Sequence, residues 1–97
     1  MSKKQLSIKF HCDPGHGWAC VKLAFAQEMG ILEKVSSYSY VRGKSIYLEE
    51  DSDLSLLCEA MRAKGVDFML IAKHTDKSHP IRSYESASKK NIMKLIS

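Results

Sequence analysis

The sequence predicts an α+β fold of ferredoxin-like type, β-α-β-β-α-β, with two helices on one face of a four-stranded antiparallel sheet. Three observations point there. Period-two alternation opens the chain at Leu6–His11. Two stretches of helical periodicity each stop at a glycine, Gly30 and Gly65. Between them, two runs rich in Tyr, Val, Ile and Leu flank Gly43.

The first strand rests on Leu6, Ile8 and Phe10 alternating with Ser7, Lys9 and His11, the pattern of a half-buried strand. Asp13-Pro14-Gly15-His16-Gly17 has a proline and two glycines in five positions and reads as a loop. A helix is expected from about Ala19 to Met29, with Val21, Phe25 and Met29 at spacings of four and Gly30 as its left-handed stop. Residues 36–42 and 45–49 read as a hairpin turning near Gly43. Leu54, Leu57, Cys58 and Met61 fall at i, i+3, i+4 and i+7, an amphipathic helix with Ser52 or Asp53 as its N-cap. Residues 66–73 form a candidate buried strand. Beyond it the pattern dissolves. The expectation is a single domain over 1–97, with residues 85–97 a basic C-terminal extension that either forms a short helix through Ile92, Met93, Leu95 and Ile96 or frays.

Bulk properties exclude several classes. No apolar run approaches the ~18 residues needed to span a bilayer, so no membrane partner is expected. The stretch Met1–Leu6 has a basic start but no signal core, which points to the cytoplasm. Three cysteines, Cys12, Cys20 and Cys58, without framework spacing argue against a disulfide scaffold. The net charge of +4 is too small to imply nucleic-acid binding by itself. It is unevenly spread: residues 45–72 carry two Lys/Arg against six acids, while the segments on either side are basic.

The hairpin assigns faces. Tyr38, Tyr40 and Tyr47 fall together, and Val41, Ile46 and Leu48 fall on the other side, toward the helices. The tyrosines, with Lys9 and His11, would line an open sheet face. One reading is simple coverage, since Tyr suits strands. The other is a contact surface for a protein or for unpaired bases, although the usual aromatic-basic RNA-reading motif is absent.

His11-Cys12-Asp13-Pro14-Gly15-His16-Gly17-Trp18 is the densest polar stretch. A metal site on His11, Asp13 and His16 is conceivable, but neither Cys-x-x-Cys nor His-Glu-x-x-His is present, and no metal or cofactor is expected. Cys12 beside a histidine is a possible nucleophile if its thiol were acidified. Gly15-x-Gly17 lacks the rest of a dinucleotide fingerprint. A rigid turn whose side chains satisfy backbone groups accounts for the same residues. Arg82 and Tyr84 could recognise a phosphate or carboxylate, or pair with the acidic run Glu49–Asp53.

Taken together, His11–Trp18, Ser37-Tyr38-Ser39-Tyr40, Tyr47–Asp53, His74-Thr75 and Ile81-Arg82-Ser83-Tyr84 resemble a group of small uncharacterised proteins carried by bacteriophages, prophages and plasmids. The resemblance covers about residues 6–86. It implies a mobile-element context, in which small proteins often bind host or element-encoded factors, defence machinery included. It implies no catalytic residue.

The leading expectation is therefore a non-enzymatic binding protein that engages a host protein or protein–nucleic-acid complex. Its candidate residues are His11, Asp13, His16, Trp18, Tyr38, Tyr40, Tyr47, His74, Arg82 and Tyr84. Alternatives are direct nucleic-acid binding by the tyrosine face, helped by Lys3, Lys4 and Lys9, and a small metal- or thiol-dependent enzyme centred on the His-Cys-Asp-Pro-Gly-His loop.

Overall fold

The computed structural model describes residues 5–96. The α+β class holds, but the sheet has six strands rather than four and is mixed rather than antiparallel. The strands are β1 (Leu6–Cys12), β2 (Gly17–Lys22), β3 (Tyr40–Arg42), β4 (Ser45–Glu49), β5 (Phe68–His74) and β6 (Glu85–Ser86). The helices are α1 (Leu23–Glu28), α2 (Leu54–Ala63) and α3 (Lys89–Ile96). Strand order is β5-β1-β2-β4-β3-β6. Only the β1–β5 pair is parallel.

The main correction lies at residues 17–22. The chain turns straight back after His16 and forms β2, paired antiparallel to β1 with His11 opposite Trp18. Trp18 and Cys20 alternate with Ala19 and Val21, so this stretch also has period two. Val21, Phe25 and Met29 share a spacing of four only because they straddle a strand–helix junction. Gly17 is required by close approach: a Cβ there would lie 2.5 Å from Cζ of Phe10. The helix starts at Leu23 and is only six residues long.

The other elements follow the residues that predict them. Gly43 has φ +59° in the two-residue turn between Arg42 and Ser45, which pair across the hairpin. Gly30 and Gly65 adopt φ +76° and +71° just beyond α1 and α2, the backbone region that glycine enters at least cost. Asp53 stands at the N-cap of α2, but its side chain does not cap the helix. It accepts instead from Ser36 N, Ser36 Oγ and Ser39 Oγ, tying the β3 approach to the helix start. Residues 85–96 contribute to the same body: β6 pairs with β3, and Ala87 and Ile92 enter the core.

The core lies on one face of the sheet. Ile8, Ala19, Val21, Val41, Ile46 and Leu48 project to it and meet Leu23 and Ala26 of α1, Leu57 and Met61 of α2, and Ile92 of α3. Three helices thus cover this face. The expected division of the hairpin, with Val41, Ile46 and Leu48 inward, is what the structure has. β5 departs from its expected burial. It is an edge strand, exposed along nearly its whole length on both faces.

Candidate functional site

The strand registers place Lys9, His11, Trp18, Cys20, Lys22, Tyr40, Arg42, Tyr47, Glu49 and Lys73 on the face away from the helices. That face is not fully open. The segment after β5 folds back across one end of it, and the device that holds it there is Asp13.

Asp13 sits in the β1–β2 turn, which is closed by its own N–H donating to the carbonyl of His16 at 2.9 Å. Its Oδ1 accepts the N–H groups of Gly15 and His16, both at 3.0 Å. Its Oδ2 accepts the N–H of His79 at 3.0 Å. Arg82 closes the set with a two-pronged grip, Nε to Oδ2 at 2.5 Å and Nη2 to Oδ1 at 2.8 Å. The Arg82 guanidinium, with these backbone donors, holds the Asp13 carboxyl far below the usual carboxylate range despite the opposing effect of burial. This is the only ion pair among the described residues.

The grip fixes a short 3-10 turn at Pro80–Ser83, entered by proline and capped by His79 Nδ1, which accepts from Ile81 N at 3.1 Å. Ile81 is fully buried. The Arg82 guanidinium lies 5.3 Å from the Trp18 ring centre, and the His79 ring lies 5.0 Å from His11 and 6.3 Å from Trp18. Trp18 is consequently buried, 2% exposed, and cannot serve as a surface anchor. Its indole Nε1 is buried without a hydrogen-bond partner among the described residues.

The remaining rings form a row. Tyr40 packs edge-on to Trp18 at 6.3 Å. Tyr47, directly opposite Tyr40 across the hairpin, lies 5.2 Å from Tyr84 and 6.4 Å from His11. Arg42 stacks over Tyr84 at 4.8 Å. All three tyrosines are half-buried, with part of each surface still in solvent. Burial, then Cys20 and Tyr84 beside it, pushes the Tyr47 phenol up to about 12. Burial lowers the His11 value, and His79, Lys9 and Lys73 lower it further.

The sheet positions of this face carry one sign of exposed charge. Lys9, Lys22, Arg42 and Lys73 are exposed, and the one acid among these positions, Glu49, is buried. Lys22, Arg42, Lys73 and His79 are the members that sequence reasoning missed. Lys22 was hidden inside a misread helix, and His79 acquires its place only through Asp13.

Other expected site residues lie apart. Tyr38 is 70% exposed but precedes β3 and is off the sheet. His74 is exposed at the end of β5 and belongs to the helix-side face by register with Cys12. Lys3 and Lys4 lie outside the described residues. Asp13 cannot join His11 and His16 in a metal site, because Arg82 and backbone N–H groups occupy both of its oxygens. Nor does Arg82 pair with the acidic run. His16, Glu49 and Asp51 do bring one potential ligand atom each within 4.8 Å of the others, with Glu49 buried and the other two exposed. Glu49 also already accepts from Asp51 N at 2.6 Å.

The thiol of Cys12 is pushed up by burial, and by Glu50 and Asp13, away from the thiolate a nucleophile needs. It contacts the Phe10 carbonyl at 3.8 Å.

Compared with known proteins, the chain matches no family model, no curated protein and no solved structure. No helix among the described residues is long and apolar enough to cross a membrane.

Proposed function

We propose that this chain is a non-enzymatic binding protein of a mobile genetic element that engages an acidic surface on a host protein or protein–nucleic-acid complex. The observation that carries the reading is the face built from β1, β2, β4 and β3. There Lys9, Lys22 and Arg42 are exposed with no exposed acid among the sheet positions, and Tyr40, Tyr47 and Tyr84 stand half-buried beside them. Rings held by neighbours lose little freedom on binding and supply apolar contact area, while cations around them steer an acidic partner. The polar residues of the His-Asp loop serve chiefly to hold this face: Asp13 and Arg82 saturate one another, and the Cys12 thiol is disfavoured as a nucleophile. The mobile-element context rests on the sequence resemblance, and interference with host defence is one role consistent with it.

The second reading, direct binding of single-stranded nucleic acid, is favoured by the Tyr47–Tyr84 pair at 5.2 Å with Arg42 above it. Stacking rings beside cations suit unpaired bases. Affinity capture from host lysate, with and without nuclease, separates the two. A defined protein retained after nuclease supports the protein partner. A catch that vanishes with nuclease, together with affinity for oligonucleotides that falls steeply with salt, replaces it with the second reading.

A further inference from the structure

β5 is a parallel edge strand with apolar side chains on both faces. Met69 and Ile71 project to the ring-bearing face, Leu70 to the helix side, and they are 44%, 38% and 38% exposed. Parallel strands are ordinarily covered on both faces. Natural edges are usually guarded by prolines, bulges or several charges. Residues 68–74 contain no proline, and a single lysine lies within the run.

The backbone of this edge is set for pairing. Asp67 accepts from Leu6 N at 2.9 Å, and Thr75 donates to the Cys12 carbonyl at 2.9 Å. Odd-numbered residues therefore turn their backbone groups toward β1, and Phe68, Leu70 and Ala72 turn theirs outward, with no strand partner among the described residues.

From these groups we infer that β5 is a self-association edge, which pairs antiparallel with β5 of a second copy about a two-fold axis at Leu70 and joins two sheets into one. Centred there, the outward groups of Leu70 meet those of Leu70 in the second copy, and Phe68 meets Ala72. Met69 falls opposite Ile71 on one face, and Leu70 opposite itself on the other. Asp67 falls opposite Lys73, twice by symmetry. Neither residue is in an ion pair with another described residue. Moving the axis one residue to Ile71 would set Lys73 opposite Met69 and Asp67 opposite Thr75. Moving it to Met69 would set Lys73 opposite Gly65. Charge complementarity selects Leu70. Asp67–Lys73 and Met69–Ile71 would occupy the non-hydrogen-bonded positions, where side chains come closest.

Sedimentation velocity of the full chain tests this, with wild type, Leu70→Lys, Asp67→Lys, Lys73→Asp and the double exchange Asp67→Lys/Lys73→Asp. Wild type is expected to dimerise. Leu70→Lys places like charges face to face and should be monomeric, with unchanged Trp18 fluorescence because position 70 is outside the core. Each single charge reversal should weaken the dimer about tenfold, and the double exchange should restore it. Wild type that stays monomeric up to about 100 μM, or Leu70→Lys that remains dimeric, would overturn the proposal. A double exchange no tighter than the single reversals would overturn the register.

Discussion

Arg82 places Nε and Nη2 against the two carboxylate oxygens of Asp13, at 2.5 and 2.8 Å, across 69 positions of sequence. Through that pair the C-terminal third of the chain is strapped over Trp18, and the strap brings His79 and Tyr84 into the row of rings. The geometry of the face is thus set by a contact that no local pattern encodes.

Removing the strap should therefore expose the indole. Asp13→Ala leaves Arg82 without its partner and releases the N–H groups of Gly15, His16 and His79. The expected result is a fall in melting temperature of roughly 10 °C and a red shift of fluorescence. Trp18 is the only tryptophan, so the emission reports this site alone. Arg82→Lys keeps the charge but not the two-pronged geometry and should be intermediate.

Gly17→Ala tests the close approach between β1 and β2. The added methyl would meet the Phe10 ring at 2.5 Å, and overpacking of this kind costs about 1–3 kcal/mol. Phe10→Leu in the same chain should recover much of the loss. A denaturant double-mutant cycle measures the coupling.

Much of the fold was legible. Alternation marked β1, the run around Gly43 marked the hairpin and its inward face, and the i, i+3, i+4, i+7 set marked α2. β2 was not legible, because Val21 lies four residues before Phe25 and lent the strand a helical signature. The parallel edge was misjudged because an apolar run such as Phe68–Ala72 reads the same whether it lies inside a sheet or at its border. Of the ring-bearing face, the positions of His11, Tyr40 and Tyr47 followed from strand register, while Tyr84 reaches it only through the fold. The roles of Asp13 and Trp18 were not legible, since both depend on Arg82 and His79, more than 60 positions away.

Stability should depend on pH through His11. Its folded value is lowered, so the folded state binds the proton less readily than the unfolded chain does, where histidine titrates near 6.5. The contribution is complete above about pH 6.5 and is lost as pH falls through the folded value. Chemical denaturation at pH 7.5 and pH 5 should show lower stability at pH 5, and His11→Gln should flatten the difference. Asp13 adds nothing to that slope. Its depressed value keeps its contribution intact until pH falls below about 4.

Tyr47 provides a spectroscopic check on the ring row. Ultraviolet titration should show one phenol ionising near pH 12, above the ~10 of a free tyrosine. Because the folded value is raised, its contribution holds below pH 10 and is lost as pH rises toward 12. Tyr47→Phe should remove that phase and leave the fold in place.

The most direct test of the binding face is capture from host lysate after nuclease treatment, comparing wild type with Lys9→Glu/Lys22→Glu/Arg42→Glu. These three side chains are exposed and outside the core, so Trp18 emission should be unchanged and the comparison should report the face alone. A protein retained by wild type and lost by the triple variant is the predicted result. The same protein retained equally by both would contradict the account.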